Sequence, residues 1–182
     1  MKYLLLIALC VLSSLLVGLS FEAEELQFTL SKGEWEMDGL FHFANYREIE
    51  VSQAIYFPIP SDSLSLQPAL LALEVIDASE ASCQLIQQTK GGISFMLSMP
   101  EKSFCTLRIA YRQSLLGNKA KYIITTANSW GKPLSYASYK LIVGSETTIS
   151  KLPFAEQKIT TEGYLWEFYE FSPQHEFEVE FN

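Results

Sequence analysis

A short aromatic and polar segment offers the clearest chemistry in this 182-residue sequence. Trp130 lies in a turn defined by Gly131 and Pro133, with Asn128 just before it and Tyr136 just after it. An indole and a phenol can stack on a sugar ring or another flat ligand, and an amide can orient that ligand by hydrogen bonding. We therefore predict a binding platform for a carbohydrate or another small ligand at Trp130, Asn128 and Tyr136. The alternative is that Trp130 folds back over a sheet.

Patterns typical of catalysis or metal binding are weak elsewhere. The sequence has two histidines, and its Cys, His, Asp and Glu residues do not follow the spacing of a zinc or calcium site. Two carboxylates that flank a cleft could cleave glycosides, but nothing singles out one pair among candidates such as Glu34 with Glu36 or Glu167 with Glu170. We therefore expect a protein that is not an enzyme and that carries no metal or cofactor, with an acid-residue hydrolase as the least supported alternative.

The cysteines leave one pairing open. Cys10 lies in an N-terminal apolar run, whereas Cys83 and Cys105 lie in the body of the chain. An oxidising compartment would favour a disulfide between Cys83 and Cys105. A simple three-strand meander would instead separate them by two strand spacings, roughly 9–10 Å, and bridged Cα atoms lie within about 7 Å. The disulfide requires the third strand to cross to another sheet, and buried free thiols are the alternative.

Alternation of apolar and polar residues with a period of two dominates the chain and predicts β-strands. Between Trp35 and Phe43 the odd positions are apolar or glycine, and most even positions are polar. Near the C-terminus, Phe177, Val179 and Phe181 alternate with glutamates. Many short strands with little helical periodicity favour an all-β fold. We predict a single antiparallel two-sheet β-sandwich, either immunoglobulin-like or jelly-roll-like.

Turn residues divide these runs into eleven predicted strands. Gly91 and Gly92 mark a hairpin, because glycine adopts positive φ without strain. Segment 68–81 has two interpretations: Pro68 could begin a helix, but the alternation around Glu74 favours a strand, which we prefer. The predicted strands are 25–31, 34–44, 48–57, 70–77, 83–89, 93–99, 104–113, 120–126, 135–143, 164–171 and 176–181.

The N-terminus has the pattern of a secretory signal peptide. Lys2 precedes an apolar run, and the small residues Gly18 and Ser20 occupy the −3 and −1 positions of a cleavage site. We predict that residues 1–20 are a signal peptide, that residues 21–182 are the domain, and that the protein is secreted or periplasmic. The alternative is a membrane anchor through residues 3–19, although a membrane span requires about 20 residues.

The charge balance excludes one class of partner. Thirteen Lys and Arg residues stand against 21 Asp and Glu residues, so the formal net charge is −8. Nucleic-acid-binding proteins need a basic surface, and we therefore expect no nucleic-acid partner. The region after Lys158 contains glutamates but no lysine or arginine, which we interpret as a solvated acidic face; the alternative is a surface that attracts cations or a basic partner. Membrane contact is expected only if the N-terminal segment stays uncleaved.

Several short motifs recur in an order that resembles a group of secreted prokaryotic β-sandwich proteins of unknown function. The resemblance would cover most of residues 21–182 and implies export and an all-β fold, but no activity. The motifs are Phe43-Ala44-Asn45, Tyr56-Phe57-Pro58, Thr125-Thr126, Trp130-Gly131-Lys132-Pro133-Leu134, Ala137-x-Tyr139, Trp166 and Phe171-Ser172-Pro173.

These observations favour an exported, non-enzymatic interaction or structural module of the cell envelope or extracellular space. Sheet edges can recruit a strand from a protein partner, and the C-terminal strand 176–181 could be donated to one. The second hypothesis is the carbohydrate or small-ligand binder with its platform at Trp130. The two differ in whether the partner is a protein or a small molecule.

Overall fold

A computed structural model describes residues 18–31, 33–61, 66–77 and 80–182. These residues are nearly all β, with one short 3₁₀ helix, Thr125–Trp130. The strands are β1 Ser20–Ser31, β2 Glu34–Asn45, β3 Val51–Pro58, β4 Ala69–Val75, β5 Ser82–Thr89, β6 Gly92–Met99, β7 Ser103–Ser114, β8 Lys119–Tyr122, β9 Leu134–Val143, β10 Ile149–Lys151, β11 Lys158–Ile159, β12 Gly163–Phe171 and β13 Phe177–Phe181.

The largest sheet has seven strands in the order β11-β12-β9-β1-β2-β7-β4. Strands β1 and β9 are parallel, and the other neighbours in this sheet are antiparallel. The prediction of a purely antiparallel fold is therefore wrong. More than a hundred residues separate the paired segments around Glu24 and Ala137, and a parallel pair leaves no local turn signal of the kind that marks a hairpin.

Two three-stranded sheets, β3-β6-β5 and β10-β13-β8, complete the fold. Their aromatic side chains contact the inner face of the large sheet: Phe28 stacks on Phe177 at 4.4 Å, and Phe41 meets Phe57 edge-on at 5.5 Å between ring centroids. The arrangement is sandwich-like, with the core between the large sheet and the two small ones. Strand β7 belongs to the large sheet, so β5, β6 and β7 do not form the simple meander considered above.

The period-two pattern predicted the buried faces of β2 and β13. Trp35 and Met37 on β2 are fully buried, as are Phe177 and Val179 on β13. Strand β13 is the central strand of its sheet, paired with β10 on one side and β8 on the other. It therefore serves its own domain, and the structure gives no support to its donation to a partner.

The ends of several elements differ from the prediction. Segment 69–75 is a strand, as preferred, but predicted strand 120–126 divides into β8 and the 3₁₀ helix. The short strands β10 and β11 were not predicted, because two or three residues carry too little alternation to be seen. Strand β12 lies next to the edge strand β11, and Tyr169 on it is 74% exposed.

The predicted signal peptide lies mostly outside the described residues, which begin at Gly18. Leu19 is buried in the core and its backbone N–H donates to Gln53 Oε1 at 2.8 Å, and Ser20 begins β1. Cleavage after Ser20 would remove both residues from the fold. Among the described residues there is no helix long and apolar enough to cross a membrane.

Candidate functional site

An irregularity in β1 places an aromatic ring and a carboxylate on the same, core-facing side of the strand. The pairing of β1 with β2 shifts register between Phe21 and Ala23, which is the signature of a β-bulge. Phe21 and Glu24 are three residues apart and would face opposite sides of a regular strand. Because of the bulge, Phe21 comes to the same face as Glu24, and both are buried, with 5% and 3% of their surfaces exposed. Phe21 thus joins Glu24, Leu26 and the other inward-facing residues of β1.

Glu24 is held from the neighbouring strand. The Tyr139 hydroxyl on β9 donates a hydrogen bond of 2.5 Å to Glu24 Oε1. Burial raises the pKa of Glu24 to about 7, and the Tyr139 hydrogen bond opposes this increase. Burial and the nearby Glu24 charge both raise the pKa of Tyr139, so it remains a neutral donor. No ion pair among the described residues includes Glu24.

Glu24 lines a cavity of about 340 Å³ between the large sheet, β3, β6 and the segment around the 3₁₀ helix. Most of the wall is apolar. Exposed Tyr56 and Ser129 also line it, so the cavity reaches the surface beside them. Among the described lining residues, Glu24 is the one carboxylic acid, and none is a lysine, arginine or histidine. The large apolar and aromatic lining residues are Phe21, Phe41, Phe43, Ile55, Tyr56, Phe57, Phe95, Ile109, Tyr122, Ile123, Ile124 and Trp130.

The 3₁₀ helix forms one wall of the cavity and is fixed by polar contacts. The Glu176 carboxylate accepts hydrogen bonds from the backbone N–H groups of Ile124 at 2.8 Å and Thr125 at 3.2 Å, and from the Thr125 hydroxyl at 2.6 Å. Asn128 Nδ2 donates to the Pro173 carbonyl at 2.8 Å. Gly131 ends the helix at φ 76°, a conformation that glycine adopts without strain. The wall is therefore tied to the segment that precedes β13.

The structure does not bring the three predicted platform residues onto one surface. Trp130 lines the cavity, with its ring 5.8 Å from Phe21 and 5.5 Å from Phe43. The Asn128 side chain is committed to the backbone of Pro173 and does not line the cavity. Tyr136 lies on the outer face of β9, 5.3 Å from the exposed ring of Tyr169. Of the three residues, Trp130 alone lies at the candidate site. Its ring also packs against Phe21 and Phe43 of the large sheet, as the alternative interpretation of Trp130 expects.

Glu24 was not among the site residues predicted from the sequence. A signal for it exists, because Glu24 continues backwards the alternation of Leu26, Phe28 and Leu30, whose side chains are all buried. The predicted strand began at residue 25 and so excluded it. Phe21, on the wrong parity for a regular strand, could not be assigned to the same face without knowledge of the bulge.

The two cysteines are free thiols in this structure. Strand β7 does cross to the large sheet, which is the condition that a disulfide required, and Cys105 lies on it. Cys105 is buried, and its thiol contacts Met99 Sδ at 3.6 Å. Burial raises the pKa of Cys83 to about 11 and, together with the Asp77 and Cys83 charges, that of Cys105 to about 12. Both thiols are therefore protonated and weakly nucleophilic at neutral pH.

The carboxylates considered for hydrolysis lie away from the cavity. Glu36 forms an ion pair with Arg112 at 2.8 Å, and Glu167 pairs with Lys158 on the outer face of β12. The described ranges contain no group of three or more His, Cys, Asp and Glu residues arranged to hold a metal ion. Glu24 in its apolar cavity is thus the feature best suited to recognise another molecule.

No family model and no curated protein matches this chain. Among solved structures, it is similar to a Legionella pneumophila protein named as a "putative nutrient binding protein", with a TM-score of 0.67 and 14% identity over 91% of this chain and 68% of that one. It is also similar to native leukotriene A4 hydrolase from Saccharomyces cerevisiae, with a TM-score of 0.47 and 12% identity over 90% of this chain and 29% of that one. The chain thus spans less than a third of the hydrolase. The first similarity shows a shared fold and the second is too distant for any conclusion.

Proposed function

We propose that this protein binds a small organic ligand in the cavity beside Glu24. The observation that carries the proposal is a nearly fully buried carboxylate in the wall of an otherwise apolar cavity. Burying a carboxyl group costs free energy that a purely structural core would avoid. Its retention in a concave site is typical of a group that recognises a ligand.

The dimensions and surroundings of the cavity support this proposal. Its volume, about 340 Å³, lies at the lower end of the ~300–1,000 Å³ range of small-molecule sites. Trp130 and Phe21 provide aromatic surface at the wall. The nutrient-binding name of the Legionella pneumophila protein agrees with a ligand-binding role, and at 14% identity it adds no more than that agreement.

Filling the cavity tests the proposal directly. Ala54 and Ala127 line the cavity from β3 and from the 3₁₀ helix. Ala127→Leu, at a buried position, should reduce the binding of 2-phenylethanol, measured by saturation-transfer NMR, by about tenfold. Ala54→Leu, at an exposed position, should reduce it by a smaller factor. Ala69→Leu at an exposed position of β4 is the matched control and should leave binding unchanged.

Two outcomes would contradict the proposal. If neither 2-phenylethanol nor any of a set of comparable phenyl compounds binds the wild-type protein, the cavity is not a ligand site. If they bind equally well to the wild type and to both filled variants, the ligand lies elsewhere on the surface.

A second candidate function is the exported, non-enzymatic interaction module. Its support is an exposed apolar surface on the edge strands β4 and β5, which contact each other and expose Leu71, Leu85 and Ile86. Large exposed apolar side chains on edge strands are typical of sites that contact another protein. The N-terminal apolar run supports secretion or transport to the periplasm, and the motif resemblance supports export and an all-β fold. The many short strands favour an immunoglobulin-like or jelly-roll-like sandwich.

Affinity capture from the envelope fraction of the native host, followed by mass spectrometry, tests the second candidate. A partner in stoichiometric amount that is lost with Leu71→Ser and Ile86→Ser, but retained with Ile159→Ser on the exposed strand β11, supports it. A partner that all three variants retain, or no partner at all, contradicts it.

A further inference from the structure

We propose that the ligand of this cavity is a small organic cation, whose ammonium group pairs with the Glu24 carboxylate while its apolar body lies among the aromatic side chains of the wall. This inference rests on the proposed function and deepens it. It follows from the sign of the charge in the cavity, from the chemistry of the walls and from the way in which Glu24 is fixed.

The charge in the cavity has one sign. The described lining residues include one carboxylate and no lysine, arginine or histidine. A carboxylate without a cationic partner in a low-dielectric site favours a positively charged ligand and disfavours an anionic one. The net charge of the whole chain, −8, favours the approach of a cation as well.

The walls suit the same ligand. Aromatic rings attract an ammonium group through the negative potential of their faces, and several rings around one site form the cages that recognise alkylammonium ligands. Phe21, Phe43 and Trp130 form one cluster, with centroids 5.2–5.8 Å apart, and Phe41 and Phe57 meet at 5.5 Å. All five line the cavity with Glu24.

The carboxylate is positioned before any ligand arrives. Tyr139 holds Oε1 of Glu24 from β9, and Tyr139 itself does not line the cavity. The backbone of Glu24 is fixed by pairing with β2 and β9. A rigid, prearranged acceptor reduces the ordering cost of binding, and the carboxylate still has acceptor capacity for an ammonium donor.

Protonation of Glu24 should control the binding of such a ligand. The titratable groups that interact with Glu24 are Tyr139 from β9 and Tyr122 from β8, and burial raises the pKa of both well above its usual value. Both tyrosines stay neutral across the range in which Glu24 ionises. When an ammonium ion binds to the protonated form, the Glu24 O–H bond breaks, its proton passes to the buffer, and the carboxylate left behind pairs with the cation.

Three probes that share a phenyl body and differ in charge test the proposal: 2-phenylethylammonium, 2-phenylethanol and 3-phenylpropanoate. Their dissociation constants are measured by isothermal titration calorimetry at about pH 8 and about pH 5.5, where the alkylammonium stays protonated throughout. We expect the cation to bind about tenfold more tightly than the alcohol at the higher pH, and the anion to bind least. The preference for the cation should largely disappear at the lower pH.

Glu24→Gln should lose the preference for the cation while it keeps the affinity for the alcohol. Glu25→Gln is the matched control, since Glu25 is the next residue and is exposed outside the cavity. A measurement on the wild type alone tests the proposal even if the Glu24 variant does not fold. The wild type is titrated at about pH 7 in two buffers of different ionisation enthalpy. Binding of the cation should release protons, and binding of the alcohol should release none.

The possible outcomes separate the two proposals. Binding of the alcohol and the cation with equal affinity, without proton release, would overturn the assignment of a cationic ligand and leave the ligand-binding function intact. Absence of binding by all three probes would overturn both. A preference for the cation that persists in Glu24→Gln would also overturn the assignment, because the selectivity would then arise elsewhere.

Discussion

The Tyr139 hydroxyl donates a hydrogen bond of 2.5 Å to Oε1 of Glu24, between two parallel strands whose sequences lie more than a hundred residues apart. Both groups are buried, and each is the other's hydrogen-bond partner. A buried polar atom without a partner would cost free energy of folding. The pair fixes the carboxylate at the wall of the cavity. The stability of the fold and the chemistry of the candidate site therefore depend on the same contact.

Glu24 should make the folded protein less stable as the pH rises. Its pKa is about 7 in the folded protein and near its ordinary value of 4.5 in the unfolded chain. Between these values the folded state keeps a proton that the unfolded state has lost, so the free energy of unfolding falls by about 3 kcal/mol across the window. In Glu24→Gln this decrease should be absent. Urea unfolding at about pH 5 and about pH 8 measures the difference between the two proteins.

The comparison of the two proteins isolates Glu24. Glu162 and Glu180 have pKa values lowered by their lysine partners, and their contribution, which is lost at low pH, is common to both proteins. Equal pH profiles for the wild type and Glu24→Gln would show that Glu24 ionises normally and is reached by water in solution.

Replacing Trp130 by alanine should weaken ligand binding with a limited loss of stability. The ring lines the cavity, but it is half-buried, so truncation should cost about 1–2 kcal/mol, less than a fully buried tryptophan would. The affinity for 2-phenylethanol should fall by about tenfold. Tyr136→Ala, on the outer face of β9, should leave that affinity unchanged. A fall in the melting temperature as large as for a core residue would show that Trp130 is mainly structural.

Phe177→Ala should be strongly destabilising. The ring of Phe177 is fully buried and contacts Phe28, Tyr139 and Trp166, with centroids 4.4–5.7 Å apart. Removal of such a ring costs about 3–5 kcal/mol, and deletion of residues 174–182 should prevent folding. Phe104→Ala, at a ring that is 64% exposed, should cost less than about 1 kcal/mol.

A soluble, folded monomer lacking residues 174–182 would contradict this account of β13. It would show that the strand is dispensable to its own domain and available to a partner. Chemical denaturation shows whether the truncated protein is folded, and size-exclusion chromatography shows whether it is a monomer.

The intact mass of the protein should be the same with and without reductant, because Cys83 and Cys105 are free thiols in the structure. Alkylation at neutral pH should be slow at the buried Cys105, whose pKa is raised to about 12. A mass lower by two hydrogens in the absence of reductant would establish the disulfide that the crossing of β7 allows.

The alternation of side chains predicted most of the strands, because a period of two is a local property of each segment. Trp35, Met37, Phe177 and Val179 are all buried as that pattern requires. Trp130 was identified because the neighbouring Gly131 and Pro133 predict a turn at that position. Tyr136 was grouped with it by proximity in sequence, yet it lies on the other face of the sheet.

The sequence by itself determined that this chain is rich in strands, which faces of those strands are apolar, and that its charge is negative, since each depends on residue types and their local spacing. The tertiary structure alone decided the parallel pairing of β1 with β9, the crossing of β7 to the large sheet, and the β-bulge that places Phe21 and Glu24 on one face. These features arise from contacts between distant segments, whose energies no local pattern records. The cavity forms between strands that are distant in the sequence and come together only in the folded protein.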